Sequence, residues 1–356
     1  MTTRIEQLRG AFATVEVEAA LVANPLNLRY LTGFSGDVGM LVVTDAKAIL
    51  AVDPRYTEQA RAEVSGAEVV ETRQRWGEWL TDAVTGLGPG TLAIEADYVT
   101  VMQFEDWRSR LAGVTLKPLT GTVSALRMPK SDDEIETIER ATALTDEALT
   151  AFREWLRPGV TEVEAAWFIE SYLRTHGAEL VAFEPIVAAG ANGAKAHARP
   201  SARPIREREP IVVDIGARIG GYNSDLTRTL WIGEPEPKFE ALYDLVLRAQ
   251  LTAEGGIHAG IVGREADALA RDVLTDAGYG DAFSHGLGHG VGLAIHEEPR
   301  LSRHSEEALR PGHVVTVEPG VYLPEWGGIR IEDLVVVTED GIRILTESTK
   351  EPWIGS

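Results

Sequence analysis

Short apolar runs separated by turn residues define the first third of the chain. Each run is bounded by Gly, Pro, Asp or Asn, and runs of this length are typical of buried strands. The predicted strands are residues 19–22, 39–43, 48–52, 92–94 and 114–116. A helix is predicted from about Val101 to Leu111, between the last two strands. This alternation predicts a small α/β domain.

A proline and a helix-capping pattern mark the end of that domain. Pro129 interrupts any preceding element because its ring fixes φ and removes a backbone donor. Ser131, followed by Glu134 three residues later, forms a capping box that opens a long amphipathic helix. We therefore predict an N-terminal domain at 1–125 and a second domain at 126–356.

Helical and strand patterns follow one another in longer blocks beyond that boundary. Two helical stretches come first, and a β-rich region spans 211–230. More helix is predicted at 239–277, and a last β-rich region spans about 285–345. The polar residues that could carry chemistry concentrate in the two β-rich regions.

Composition restricts the possible partners. The 356 residues include 55 acidic and 34 basic side chains, and the formal charge of −21 argues against a nucleic-acid partner and favours cations. An acidic surface also simply keeps a protein in solution. The start of the chain has no apolar run suited to a secretion signal, and no stretch reaches the roughly 20 apolar residues of a membrane helix. We therefore expect a cytoplasmic protein without a membrane partner.

The absence of cysteine limits the chemistry. Without a thiol the chain can form no disulfide, no thiolate nucleophile and no cysteine-ligated zinc site. A metal ion would have to be held by oxygen and nitrogen ligands. The sequence motifs for phosphate-binding loops, dinucleotide binding, serine hydrolases and helical zinc peptidases are also missing.

Two aspartates lie on a predicted hairpin in the first β-rich region. If its turn is centred between Ile219 and Gly220, Asp214 and Asp225 face each other directly across the strands. Side chains in that relation have Cβ atoms roughly 5 Å apart, and two such carboxylates repel unless they are protonated or bridged by a cation. A different turn centre would instead leave one aspartate in solvent. Both interpretations stay open on this pair alone.

A second hairpin repeats the arrangement with glutamates. A loop centred on Glu325 makes Glu318 and Glu332 partners across the strands. Strand alternation places Arg330 on the same face as Glu332, where it could bind and fix a ligand carboxylate. The alternative for Arg330 is an ordinary ion pair on a solvated strand face.

Three histidines lie within twelve residues between the two hairpins. His285, His289 and His296 lie among glycines that let a ligand or a backbone approach closely. One imidazole could complete a metal shell, although a histidine can also have a purely structural role. Four carboxylates with one or two imidazoles form a hard ligand set suited to Mn²⁺ and similar divalent ions. Two such ions can activate a shared water and polarise a carbonyl, which predicts metal-assisted hydrolysis.

Short motifs around these residues carry a resemblance to a known family. The motifs are Asp214-Ile-Gly-Ala, Gly221-Tyr-Asn-Ser-Asp-Leu-Thr-Arg-Thr, Gly288-His-Gly-Val-Gly, His296-Glu, Glu318-Pro-Gly and Arg330-Ile-Glu-Asp. Over nearly its whole length the chain resembles the metallopeptidase family that contains prolidase, aminopeptidase P and methionine aminopeptidase. Segments 27–36 and 53–56 resemble the leading domain of prolidase, aminopeptidase P and creatinase.

The resemblance implies a fold, a ligand set and roles for individual residues. It implies a creatinase/prolidase-like α/β domain followed by an α+β pita-bread catalytic domain. The implied metal ligands are Asp214, Asp225, His289, Glu318 and Glu332. The implied catalytic and substrate-binding residues are His296 for the oxyanion, Glu318 for proton transfer, His285 and His197 beside the substrate, and Arg300 for the carboxylate of a C-terminal proline. Arg300 could equally be a plain surface arginine.

The same resemblance implies an activity and a cofactor. The expected enzyme uses two divalent ions, with Mn²⁺ favoured over Co²⁺ or Zn²⁺, to hydrolyse the bond before proline in short peptides. Xaa-Pro dipeptidase activity is slightly favoured over aminopeptidase P activity on longer peptides. A homodimer is also implied. A non-catalytic pita-bread binding module is the alternative from another class, but such a protein usually loses ligands, and none of the five is missing.

Overall fold

The computed structural model describes residues 3–354 of the chain. It divides into two compact units, Met1–Arg127 and Met128–Ser356. The predicted classes are confirmed, since the first unit is α/β and the second combines helix pairs with separate, mainly antiparallel sheets. Among the described residues, no helix has both the length and the apolar character needed to cross a bilayer.

The first unit alternates helices and strands. Its helices are α1 (Arg4–Val15), α2 (Pro25–Thr32), α3 (Thr57–Glu63), α4 (Trp76–Leu87), α5 (Val101–Arg110) and α6 (Thr122–Arg127). Its strands are β1 (Ala19–Val22), β2 (Met40–Thr44), β3 (Ala48–Val52), β4 (Glu68–Glu71), β5 (Thr91–Glu95) and β6 (Thr115–Leu119). The predicted strands and the predicted helix are therefore confirmed to within a few residues, while β4 was not predicted.

These strands form one mixed sheet in the order β4-β3-β2-β1-β5-β6. The pairs β1–β2 and β2–β3 are antiparallel, and the pairs β1–β5 and β5–β6 are parallel. Alternate residues of β1, such as Ala19 and Leu21, share a core with Trp79 of α4 and Trp107 of α5. The apolar runs in the sequence thus become strands covered by helices, as expected for parallel pairs buried on both faces.

The second unit contains four long helices and the remaining strands of the described chain. The helices are α7 (Asp132–Trp155), α8 (Glu162–Thr175), α9 (Pro237–Gly256) and α10 (Gly263–Asp276). The strands before α9 are β7 (Leu180–Val181), β8 (Ile186–Ala189), β9 (Ile211–Ile215), β10 (Ala217–Ile219), β11 (Tyr222–Asn223) and β12 (Leu226–Ile232). The strands after α10 are β13 (Gly288–Gly290), β14 (Glu297–Leu301), β15 (Val314–Val317), β16 (Gly320–Leu323), β17 (Gly327–Arg330), β18 (Asp333–Val337), β19 (Ile342–Ile344) and β20 (Trp353–Ile354).

Each helix pair of the second unit covers one face of a sheet. The sheet β20-β12-β9-β8 packs on α7 and α8, and the sheet β14-β13-β15-β18-β19 packs on α9 and α10. Val213 of β9 and Val317 of β15 lie in these two cores. Because side chains alternate along a strand, the neighbours Asp214 and Glu318 point to the opposite face. The helices thereby leave a polar face on each sheet.

The first hairpin is in a different register from the predicted one. Its turn is formed by Gly220 and Gly221, whose φ angles of 57° and 82° fit a two-residue type I′ turn. Consequently Asp214 pairs with Thr227, and the prediction that the two aspartates face each other directly is wrong. Asp225 lies two residues before Thr227, so the aspartates are diagonal neighbours on one side of the hairpin.

The second hairpin has the predicted register. Strand β16 pairs with β17 through Gly320 and Arg330, and β15 pairs with β18 through Val317 and Asp333. In every cross-strand pair of these strands, the two residue numbers add up to the same total as 318 and 332 do, which means that the register is the predicted one. Glu318 and Glu332 therefore lie opposite each other at the junction between the two paired stretches, as predicted.

Candidate metal centre

A cavity of about 600 Å³ opens on the polar faces of the second unit. All ten predicted site residues line it, so the structure brings the whole predicted set together. They are His197, Asp214, Asp225, His285, His289, His296, Arg300, Glu318, Arg330 and Glu332.

His289 lies on a strand that neighbouring backbones approach closely. A Cβ atom at Gly288 would lie 2.0 Å from the Thr316 carbonyl oxygen, and one at Gly290 would lie 2.4 Å from that of Glu298. Only glycine fits at these two positions, which accounts for the Gly-His-Gly pattern. The imidazole is thus held between β14 and β15 with 8% of the residue exposed.

The hydrogen bonds of His289 define its tautomer. Its Nδ1 lies 3.1 Å from the Gly290 carbonyl oxygen, which can only accept, so Nδ1 carries the proton. Burial, followed by the charges of His296 and Arg300, lowers the pKa of His289 to about 3. The ring is therefore neutral at pH 7, and Nε2 presents a lone pair to Asp225 Oδ2 at 3.7 Å and to Glu318 Oε1 at 3.4 Å.

The carboxylates around this lone pair repel one another. Asp225 and Glu332 are only 4% and 2% exposed. Burial, followed by the charge of Glu332, raises the pKa of Asp225 well above its usual range. Burial, followed by the charge of Glu318, does the same to the pKa of Glu332. Side-chain atoms of Asp225, His289 and Glu332 that could hold a metal ion all lie within 4.8 Å of one another.

Asp214 adds an oxygen atom that no described residue satisfies. Its Oδ2 accepts a hydrogen bond from Arg330 at 2.6 Å, whereas its buried Oδ1 has no hydrogen-bond partner. A buried oxygen without a partner destabilises a fold unless something outside the protein binds it. Together with the facing lone pairs of His289 and its neighbours, this oxygen fits divalent cations bound between the carboxylates.

Arg330 contacts one of the carboxylates directly and a second one through a hydroxyl group. Besides Asp214, its guanidinium donates to Thr227 Oγ1 at 3.0 Å, and that hydroxyl donates to Glu332 Oε2 at 2.6 Å. Arg330 also donates to the Tyr322 hydroxyl at 2.7 Å. Sequence reasoning missed Thr227 and Tyr322. Thr227 is the cross-strand partner of Asp214, so only a correct hairpin register would have predicted that it lies beside the carboxylates.

His285 belongs to a hydrogen-bonded chain beside this cluster. Its Nδ1 lies 2.8 Å from the Gly286 carbonyl oxygen, so Nε2 is unprotonated and accepts from the Tyr322 hydroxyl at 2.9 Å. Burial, followed by the charge of Arg330, lowers the pKa of His285 to about 3. The uncharged ring of His285 therefore lines the cavity.

The other predicted residues lie where the cavity meets solvent. His296 packs edge-on against His289 with ring centroids 4.4 Å apart, and His197 is exposed. Arg300 is the cross-strand partner of His289, and its Nε lies 3.8 Å from Glu298 Oε1, which is a loose ion pair. The lining also includes an apolar group: Phe183, Ile186, Ala196, Ala198 and Pro200.

Comparison with known proteins identifies both units. Residues 136–339 match the family model described as metallopeptidase family M24. Residues 4–129 match the model of the creatinase/prolidase N-terminal domain. The M24 match alone covers more than half of the chain.

Relatives and solved structures match the chain over its full length. A structure of Xaa-Pro dipeptidase from Bacillus anthracis is 39% identical with a TM-score of 0.96, and 99% of each chain is covered. The Xaa-Pro dipeptidase of Pyrococcus furiosus is 34% identical, with 99% of each chain covered. A structure of X-Pro aminopeptidase from Thermotoga maritima is 34% identical with a TM-score of 0.90, covering 98% of this chain and 99% of that one. The chain therefore belongs to metallopeptidase family M24.

Proposed function

We propose that this chain is a metal-dependent peptidase that hydrolyses the bond before proline in short peptides, acting as an Xaa-Pro dipeptidase. The observation that carries the proposal is the convergence of buried carboxylate oxygens on the His289 lone pair at the base of an open cavity. The names of the relatives support the same activity, since dipeptidases and an aminopeptidase specific for X-Pro are among them.

The proposed ligands hold two divalent ions. Four carboxylates supply four negative charges, which two such ions offset, and the neutral imidazole supplies the nitrogen. The ligands are Asp214, Asp225, His289, Glu318 and Glu332. When bound, the ions activate a water and polarise the carbonyl before proline. Mn²⁺ is the ion we propose, because the hard oxygen set and the absence of sulfur suit it.

The protein's own groups supply proton transfer and charge stabilisation. The Glu318 carboxylate accepts from the Thr316 hydroxyl at 3.1 Å and lies 3.4 Å from His289 Nε2, and we assign to it the uptake of a proton from the attacking water and its transfer to the leaving nitrogen of proline. Partial burial, followed by the charge of Arg300, lowers the pKa of His296. A neutral imidazole N–H can then donate to the oxyanion that forms on the scissile carbonyl.

The cavity lining suits a proline residue with a free carboxylate. The apolar group around Phe183 and Ile186 offers a surface for the pyrrolidine ring, and His285 and His197 lie on the substrate side of the cluster. Arg300 is available to bind a carboxylate because its contact with Glu298 is loose and solvent-exposed. This cation favours the dipeptidase proposal over an aminopeptidase P, whose longer substrates have no carboxylate on proline.

The first experiment compares Ala-Pro with Ala-Pro-Ala, using protein stripped by a chelator before and after addition of Mn²⁺. The stripped protein should be inactive, and Mn²⁺ should restore cleavage of the dipeptide. Calorimetric titration of the stripped protein should give two ions per chain. Restored cleavage of the tripeptide would favour the aminopeptidase P alternative. Cleavage of neither peptide would contradict the proposal and favour the non-catalytic module.

Arg300→Gln is expected to raise KM for Ala-Pro by about 10- to 100-fold, because a hydrogen bond between charged groups contributes about 1.5–3 kcal/mol. The KM for Ala-Pro-amide, which lacks the carboxylate, should change little. Arg310→Gln is the matched control, since Arg310 pairs with Glu307 and does not line the cavity. Equal KM changes for both substrates would show that Arg300 does not bind the proline carboxylate.

The resemblance also supports a cytoplasmic homodimer, and we include both in the proposal. Short proline-containing peptides are the proposed partners. The net charge of −21 argues against nucleic acid as a further partner.

A further inference from the structure

Asp333, the residue after the proposed ligand Glu332, is a buried anion that points away from the cavity. Strand alternation directs it toward α9, and its side chain is 1% exposed. Its Oδ1 accepts from Arg228 and from the Thr346 hydroxyl, each at 2.7 Å. Its Oδ2 lies 2.6 Å from Lys350 Nζ. The Gln250 amide also donates to Oδ2 at 3.2 Å, so two cations, a hydroxyl and an amide fix this carboxylate.

Arg228 links Asp333 to Glu332 and to the C-terminal segment. Its guanidinium donates to the backbone carbonyl of Glu332 and, at 2.8 Å and 3.1 Å, to the carbonyls of Ser348 and Thr349. Glu332 is held from the other side, where its backbone N–H donates to the Thr227 carbonyl at 3.0 Å. The backbone of Glu332 therefore depends on where Arg228 lies.

The segment 346–353 is anchored to the helices of this unit. Asp146 of α7 accepts from the backbone N–H groups of Glu347 and Ser348 at 2.8 Å and 2.9 Å. The Tyr243 hydroxyl of α9 donates to the Lys350 carbonyl at 2.6 Å. Arg153 donates to the carbonyls of Glu351 and Trp353, both at 2.8 Å. The segment is consequently a fixed support for the Lys350 side chain.

Lys350 completes a balanced set of buried charges. Its Nζ lies 3.2 Å from each carboxylate oxygen of Glu254, besides its contact with Asp333. Arg228 and Lys350 thus offset Asp333 and Glu254. Without Lys350, Oδ2 of Asp333 would lose its cation at 2.6 Å and keep the weaker contact with the Gln250 amide at 3.2 Å, and a buried carboxylate that loses such a partner moves to find another. Asp333 would turn, and Arg228 would follow it because its guanidinium binds that carboxylate.

We propose that Lys350 is a positioning residue for the metal centre, acting through Asp333 and Arg228 on the ligand Glu332. This inference rests on the proposed function, in which Glu332 binds a divalent ion. Partners that orient a metal ligand typically change metal affinity by about 10- to 100-fold when they are removed. Lys350 lies outside the cavity lining and reaches Glu332 through two intermediates, Asp333 and Arg228, so its effect should lie at or below the low end of that range.

The test measures binding of Mn²⁺ to full-length, chelator-stripped protein by calorimetry. Lys350→Gln should weaken the affinity several-fold to about 10-fold, while Lys350→Arg, which keeps the charge, should stay closer to the parent value. Arg153→Gln is the matched control, because it loosens the same segment without removing a contact to Asp333. Excess Mn²⁺ should restore most of the turnover of Lys350→Gln.

Two further outcomes keep the inference open to refutation. If Lys350→Gln does not fold, Thr346→Val removes the hydroxyl contact to Asp333 with little change in shape, and it should weaken Mn²⁺ binding several-fold. If Lys350→Gln bound Mn²⁺ as tightly as the parent protein, or no more weakly than Arg153→Gln, the proposed role of Lys350 would be wrong. A parent protein that neither binds Mn²⁺ nor cleaves Ala-Pro would instead overturn the proposed function itself, so the two failures can be told apart.

Discussion

Asp225→Asn is expected to lower turnover of Ala-Pro by about a thousandfold or more, whereas the metal-free variant should fold at least as stably as the parent protein. The loss of activity follows because a bound metal contributes several kcal/mol to the transition state, and each 1.4 kcal/mol is tenfold in rate. Asp225 is 4% exposed, and its Oδ2 lies 3.7 Å from Nε2 of His289. A neutral amide at this position would be a much weaker ligand for a hard cation.

The expected stability has the opposite sign because the metal-free cluster is repulsive. Burial and three neighbouring carboxylates disfavour the charge on Asp225 and raise its pKa, and a neutral amide of the same shape removes that repulsion. Steady-state hydrolysis at saturating Mn²⁺ and the thermal midpoint with chelator test the two effects. Asp340→Asn, at an exposed position, is the control. Near-normal turnover would contradict the two-metal proposal, and a clearly lower midpoint would contradict the repulsion argument.

The sequence predicted the second hairpin correctly and the first one incorrectly for an identifiable reason. Both predictions depended on the centre of a turn. In the second, Glu325 has a φ of 65° and occupies the predicted centre of the loop. In the first, the predicted centre lay between Ile219 and Gly220, whereas the glycine pair Gly220–Gly221 forms the turn one residue later. A shift of one residue in the turn centre moves the cross-strand partner by two, so the aspartates stayed on one face.

The sequence could not distinguish the three clustered histidines by geometry. Their spacing and their glycine neighbours are similar, and only the resemblance selected His289 as a ligand. In the structure, the hydrogen bonds of the rings separate them. His289 directs an unprotonated nitrogen at Asp225 and Glu318, whereas His285 directs its own at the Tyr322 hydroxyl.

The contacts that support the cluster were also beyond sequence reasoning. Thr227 and Glu332 are 105 residues apart, and the pair Arg228 and Asp333 has the same separation. Strand alternation predicts which face a side chain occupies, but it does not predict which distant strand lies against that face. Such contacts depend on how the hairpins and the C-terminal segment pack together, and periodicity carries no signal for that.

His296→Ala is expected to lower kcat for Ala-Pro by about 10²- to 10³-fold, with little change in KM and no change in affinity for Mn²⁺. The magnitude is that of losing one donor to an oxyanion, since a donor that acts only in the transition state affects kcat rather than binding. The ring packs edge-on against His289 and lines the cavity, so it is close to the cluster without being one of the proposed ligands.

This variant tests the role of His296 because kcat and the affinity for Mn²⁺ are measured separately. His258→Ala is the matched control, because His258 is exposed and hydrogen-bonds only locally, to the Ala259 carbonyl. If kcat and Mn²⁺ affinity fell together, His296 would be holding the metal or His289 rather than the oxyanion. If kcat fell less than tenfold, the oxyanion would have another donor. A large loss of kcat with unchanged Mn²⁺ binding is the one outcome that a ligand, a packing residue or a surface histidine would not produce.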